Sequence, residues 1–177
     1  MIPVLLLLAC APDDVTDGVL GDTGNIDSGV HDIGGDSAGD TGAGAQSIVG
    51  DWLSQGADLA PLLSADPFNY VSIAAAFGAD GSYNVQSTDA SGQSGTLRGT
   101  FAVDTSTVPG SITLSQSAPY TATASGIWQV DGSKLTYEVV QTDPDYGFTP
   151  PTPATGFGST AGDGLNPGDN VQIYRRQ

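Results

Sequence analysis

Alternating apolar and polar residues between positions 47 and 177 constrain the fold of this chain more than any other feature. Leu97, Phe101 and Val103 fall on one face of an extended segment, and their polar neighbours fall on the other. Segment 134–141 alternates in the same way. A period of two residues predicts β-strands with one buried face and one solvated face.

Eight short stretches rich in Val, Ile, Thr, Tyr and Trp predict antiparallel strands, because Gly, Asp and Pro separate them. Residues 78–81 and 131–133 have the composition of tight hairpins, and successive hairpins predict an up-and-down order. Closing such a sheet removes its exposed edges. The predicted fold is therefore all-β, an antiparallel up-and-down eight-stranded barrel. The predicted strands are 48–54, 70–77, 82–88, 96–104, 111–116, 122–130, 134–141 and 170–175.

Two connecting segments do not alternate. Segment 55–68 has apolar residues spaced for one helical turn and a proline near each end, which predicts a short helix or irregular lid. We expect its Leu59, Leu62, Leu63 and Phe68 to cap one end of the barrel.

The second connecting segment, 142–169, is long for a loop and contains Tyr146, Phe148 and Phe157 among several prolines. Two interpretations stay open. The segment is either a lid over a barrel end, or a contact for a ligand or partner through these three aromatic residues.

The first ten residues form an apolar run that is too short to span a bilayer as a helix but suits a signal peptide. Leu7-Leu8-Ala9-Cys10 resembles the lipobox of bacterial lipoproteins. The resemblance implies removal of residues 1–9 and acylation of Cys10 with diacylglycerol and usually a third chain such as palmitate. Ala11, in place of an aspartate, implies the outer membrane of the cell envelope. The alternative is a buried apolar segment with an incidental cysteine.

Residues 11–46 contain eight Asp, no Lys or Arg, and many Gly. This composition cannot bury enough apolar surface to offset the entropy of ordering, so we interpret residues 10–46 as an acylated cysteine followed by a disordered acidic tether. The Asp-Thr-Gly and Asp-Ser-Gly triplets at 22–24, 27–29 and 40–42 lack the strands of an aspartic protease and the regular spacing of a calcium loop. His31 has no second imidazole or thiolate near it.

Charge and residue types exclude several functions. The formal net charge of -16 repels phosphate backbones, so we expect no nucleic-acid partner. Residues 47–177 contain no His and no Cys, which excludes Ser-His and Cys-His nucleophile pairs and ordinary zinc sites. Glu138 is expected on a solvated strand face, and Asp143 and Asp145 lie in a loop without a desolvating pocket. We therefore expect a monomer without enzymatic activity, metal or cofactor.

Gly50-Asp51-Trp52 at the first predicted strand, together with segments 99–104, 109–114 and 126–132, resembles lipocalin-like domains. The resemblance implies that Trp52 seals the barrel floor and that Arg175, or its neighbour Arg176, stacks on the indole.

The lipocalin resemblance also implies a small apolar ligand or an envelope lipid inside the barrel. We interpret Trp52, Phe101, Trp128 and Tyr137 as candidate lining residues. An eight-stranded barrel can instead be filled by its own side chains, which would favour a surface interaction or structural lipoprotein.

Overall fold

Eight antiparallel strands follow one another around a closed barrel in the described part of the chain, and the last pairs with the first. The computed structural model describes residues 46–162 and 164–177. The all-β, up-and-down, eight-stranded prediction is confirmed, whereas the predicted signal peptide, Cys10 and the acidic tether lie outside the described residues. The strands are β1 Gly50–Gln55, β2 Tyr70–Phe77, β3 Ser82–Asp89, β4 Ser94–Asp104, β5 Gly110–Ala118, β6 Ala122–Asp131, β7 Lys134–Asp143 and β8 Gln172–Arg176.

Three of the connections between strands have the same turn chemistry. The carboxyl oxygens of Asp80, Asp89 and Asp104 each accept a hydrogen bond from the backbone N–H two residues later, at 2.9, 2.8 and 2.8 Å. These bonds, with those from the Ser hydroxyls at 82 and 91, hold the pKa of the three carboxyl groups below its usual range. An aspartate that bonds its own backbone fixes the direction of the chain, so these Asp-x-Ser turns help to set the strand register.

One end of the barrel is closed by a floor, which we define as Ile48, Trp52, Trp128 and Leu135; each is at most 2% exposed. Trp52 Nε1 donates a hydrogen bond to the Ile48 carbonyl at 2.7 Å, and Trp128 Nε1 donates to the Ser111 carbonyl at 3.1 Å. Both indoles therefore bury their rings without leaving a polar atom unpaired.

Arg176 completes the floor. Its Cζ lies 4.2 Å from the centroid of the Trp52 ring, and its guanidinium donates to the carbonyls of Val49 and Ser47 at 3.1 and 3.3 Å. Of the two arginines considered for this contact, Arg176 therefore stacks on Trp52 and Arg175 does not. Adjacent residues of a strand point to opposite faces, and Arg175 lies outside, where its Nε is 3.0 Å from Asp58 Oδ2.

The other end of the barrel is covered by the lid, segment 55–68. It contains a 3-10 turn, Gly56–Asp58, and a short helix, α1 Pro61–Ser64, so the predicted short helix is confirmed. Proline suits the first helical position because its fixed φ is that of a helix. Leu59 is buried and Leu63 packs against the core, whereas Leu62 and Phe68 are only half-buried.

Two backbone hydrogen bonds attach the lid to the returning chain. The Ala60 N–H donates to Gln172 Oε1 at 2.8 Å, and the Leu62 N–H donates to the Asp169 carbonyl at 2.9 Å. The lid is thus held by β8 and by the segment just before it.

The segment between β7 and β8, residues 144–171, is named the long loop here. It covers the outer face of β6 and β7, where Ile127, Glu138 and Val140 point away from the interior and are nevertheless fully buried. Glu138 is 1% exposed, so its predicted position on a solvated face is wrong. Its carboxyl oxygens accept hydrogen bonds from Gly158 N–H at 2.6 Å, Thr160 N–H at 2.9 Å and the Thr160 hydroxyl at 2.6 Å.

The two adjacent arginines provide a matched test of the floor. Arg176→Ala removes the contact with Trp52 and two hydrogen bonds to the carbonyls of Ser47 and Val49, so we expect the free energy of unfolding to fall by about 1–3 kcal/mol. Arg175→Ala removes an exposed ion pair with Asp58, which water screens, so we expect a smaller loss of stability than in Arg176→Ala. Urea unfolding followed by tryptophan fluorescence measures both. An equal loss in the two variants would contradict the assigned role of Arg176.

Candidate functional site

A cavity of about 60 Å³ lies inside the barrel, between the floor and the lid. Pockets for drug-sized ligands begin near ~300 Å³, so this cavity is much smaller than such a pocket. Half of its twelve lining residues are aliphatic, and they come from the inward positions of the strands and from the lid. The aliphatic lining residues are Leu63, Ile73, Val85, Leu97, Leu114 and Val139.

Aromatic rings form another part of the cavity wall. The rings of Phe77 and Tyr137 lie 6.3 Å apart, and those of Tyr137 and Tyr174 meet edge to face at 6.1 Å. Phe101 packs edge to face against Phe77 at 5.2 Å, behind the cavity lining. Such edge-to-face pairs fix the orientation of the rings, so this wall is rigid.

Three tyrosines, Tyr83, Tyr137 and Tyr174, line the cavity and are at most 9% exposed. Burial raises the pKa of Tyr83 to about 12, with a smaller effect from nearby Tyr120. Burial, and then the neighbouring Tyr174 and Tyr83, raises the pKa of Tyr137 well above its usual range. Burial also raises the pKa of Tyr174. All three phenols therefore remain protonated at neutral pH and present neutral hydroxyl donors.

Two amide side chains also line the cavity, but both are engaged elsewhere. Gln172 accepts from the Ala60 N–H and donates to the Ser54 hydroxyl. Asn170 donates to the Val139 carbonyl at 2.8 Å and to the Thr160 hydroxyl at 3.4 Å. These amides hold the lid and the long loop in place, so their donors are already used within the protein.

Ser87 lies on the inward face of β3, which it shares with the lining residues Tyr83 and Val85. It is 1% exposed, and its hydroxyl has no hydrogen-bond partner among the residues that the structure describes. Buried polar groups are nearly always paired, so an unpaired hydroxyl here is unusual.

Of the residues that the sequence suggested for a ligand, Tyr137 lines the cavity. Trp52 and Trp128 form the floor instead, and Phe101 lies behind the lining. Residue type alone predicted these aromatic residues as lining. Whether such a residue reaches the cavity depends on its position along the barrel axis.

The three aromatic residues of the long loop lie outside the cavity lining. Tyr146 is 37% exposed, and Phe157 is half-buried. Phe148 packs against Gly162, whose missing side chain leaves room for the ring.

Sequence reasoning missed most of the lining. Tyr83, Val85 and Tyr174 could have been found, because each occupies an inward position of a strand that alternates. Leu63 agrees with the cap predicted for segment 55–68, whereas Asn170, in the long loop, carries no such signal.

No cluster of three or more His, Cys, Asp or Glu side chains that could hold a metal ion occurs within residues 46–162 and 164–177. In the same part of the chain, no helix has the length and hydropathy that crossing a membrane requires.

The closed eight-stranded up-and-down barrel is the architecture of lipocalin-like domains. Comparisons with protein-family models, with curated proteins and with solved structures found no match to the chain. Function is therefore inferred from the barrel and its cavity.

The buried tyrosines predict a loss of stability in alkali. Their folded-state pKa is raised, so the stabilisation is complete below pH ~10, where tyrosine of the unfolded chain ionises, and falls as the pH rises through about 12 for Tyr83. We expect the urea midpoint to fall above pH ~10, and tyrosinate absorbance from these residues to appear only with unfolding. Tyr83→Phe should weaken this dependence, and exposed Tyr146→Phe should not. Early ionisation of the folded protein would contradict the burial of these phenols.

Proposed function

We propose that this chain is a membrane-anchored, lipocalin-like lipoprotein that binds a small apolar ligand or an envelope lipid inside its barrel. The cavity is the observation that carries the proposal. Its wall is mainly aliphatic and aromatic, the floor below it is sealed by two tryptophans, and its cover is a single thin lid. An apolar wall with a few polar groups is the usual lining of a small-molecule site, and a ligand larger than this cavity has to displace the lid.

The lid covers the cavity with a single short helix. The four residues of α1 place one side chain, Leu63, on the cavity, and two hydrogen bonds fasten the lid to Gln172 and Asp169. A ligand larger than about 60 Å³ has to displace Leu63. A ligand would enter at the lid end, because Arg176 and the chain before β1 block the floor end.

The size of the lid side chain is therefore expected to control binding. Leu63→Ala enlarges the cavity, so the neutral fluorescent probe N-phenyl-1-naphthylamine should bind the variant about 5–10-fold more tightly than the unaltered chain. Val85→Phe fills the cavity and should abolish probe binding. Probe fluorescence titrated with protein measures all three affinities.

Leu62→Ala is the matched control, because Leu62 lies in the same helix and outside the cavity lining. Circular dichroism and urea unfolding verify that each variant folds. Equal probe binding by the Leu63→Ala and Val85→Phe variants would overturn binding inside the barrel. Absence of probe binding in every folded variant would favour a packed barrel that acts through its surface.

The anchor is proposed from Cys10, the one cysteine of the chain. Two or three acyl chains on this residue would hold the barrel stably at a membrane, where one chain gives only marginal binding. The anionic segment that follows would be repelled by anionic lipid headgroups, which favours separation of the barrel from the membrane surface. We propose the outer membrane of the cell envelope as the location.

Expression of the full chain in a bacterium that processes lipoproteins tests the anchor. We expect the protein in the outer-membrane fraction, with a mass that corresponds to loss of residues 1–9 and addition of diacylglycerol and a further acyl chain. Cys10→Ser should keep the barrel folded and lose membrane association. An unmodified thiol at Cys10 in the mature protein would refute the anchor without affecting the proposed cavity.

A further inference from the structure

Resting on the proposed function, we infer that the ligand is uncharged: an apolar molecule with one oxygen acceptor, such as a carbonyl, ester, ether or alcohol, and not a fatty-acid anion. The inference depends on which charges and which donors the interior offers.

No cation reaches the cavity. The four Lys and Arg residues of the chain are Arg98, Lys134, Arg175 and Arg176. Arg98 is exposed on the outer face of β4. Lys134 lies opposite Arg175 in the register of β7 and β8, and both side chains are on the outer face. The guanidinium of Arg176 is already bound at the floor. A carboxylate in the cavity would therefore lose its hydration without gaining an opposite charge, which is strongly unfavourable.

Anionic side chains are likewise missing from the lining, which contains no Asp or Glu among the described residues. The one fully buried acid of the barrel wall, Glu138, faces outward and is bonded to the long loop. A cationic ligand would thus be as poorly compensated as an anion. The interior favours a neutral molecule.

The polar groups that remain are hydroxyl donors. No hydrogen bond within residues 46–162 and 164–177 engages the hydroxyls of Tyr83, Tyr137 and Tyr174. Gln172 instead donates to the Ser54 hydroxyl on β1 and accepts from the lid, and Asn170 of the long loop donates to the Val139 carbonyl. A neutral phenol donates to a ligand oxygen without requiring a charge on it. The rings of Tyr137 and Tyr174 meet edge to face at 6.1 Å, so both tyrosines belong to the same wall of the cavity.

The unpaired Ser87 hydroxyl extends this polar pattern along β3. It lies two residues beyond Val85 on the same inward face, toward the lid end of the barrel. A ligand that extends past Val85 would meet a group that can both donate and accept. Ser87 is not itself a lining residue, so only a ligand that extends beyond the cavity toward the lid end reaches it.

Competition between ligands that differ only in charge tests the inference. The full-length Cys10→Ser chain is loaded with N-phenyl-1-naphthylamine at pH 8. Methyl octanoate, 1-octanol and octanoate are then titrated in separate experiments. The Leu63→Ala variant, whose cavity is more accessible, is measured in the same way. We expect the ester and the alcohol to displace the probe at concentrations at least about 10-fold lower than octanoate. Equal or stronger displacement by octanoate, with the probe bound, would overturn the inference and leave the proposed cavity intact.

Tyrosine variants test the donors separately. Tyr137→Phe and Tyr174→Phe should each lower the affinity for methyl octanoate about 5-fold. Neither should change the affinity for the probe, because the probe has no oxygen. Tyr146→Phe, outside the cavity, should alter neither affinity. Unchanged ester binding in both cavity variants would overturn the role of the hydroxyls. Failure of the probe to bind any folded variant would overturn the proposed function and this inference together.

Discussion

The short seam between the first and last strands is the constraint on which the barrel depends. β1 and β8 share two paired positions, Trp52 with Arg176 and Leu53 with Arg175. Without this seam both strands would expose unpaired edges, and the interior would be open on one side. The Gln177 N–H adds a hydrogen bond to the Asp51 carbonyl at 3.0 Å. The cation that covers the floor tryptophan thus belongs to the same contact that closes the sheet.

The architecture was predictable because alternation and turn chemistry act locally. Each predicted strand overlaps an observed one, and the hairpin between β2 and β3 lies at the predicted Gly and Asp residues. The choice between Arg175 and Arg176 stayed open for a physical reason, since a strand has a period of two and an uncertainty of one residue at its end reverses every face. β8 was expected at 170–175 and is Gln172–Arg176. Nothing in the local sequence fixed which arginine would face Trp52.

The cavity was less predictable because its lining comes from distant segments. Tyr137 follows from alternation, but Leu63 and Asn170 reach the interior only through the paths of the lid and the long loop. The burial of Glu138 has the same origin. Its outward direction was expected from the sequence, and the chain that covers it lies about twenty residues later, so no local pattern could reveal the cover.

The long loop gives the barrel walls of unequal thickness. The wall at β6 and β7 is covered by chain bonded to Glu138, whereas outer positions of β2 and β4, such as Ala74 and Ala102, are exposed. The long loop also holds the lid, because the Leu62 N–H donates to the Asp169 carbonyl near the end of the loop. Movement of Leu63 away from the cavity would therefore strain the long loop, which is bonded to Glu138. A substitution at Glu138 would loosen the lid by weakening the attachment of the long loop, although Glu138 does not line the cavity.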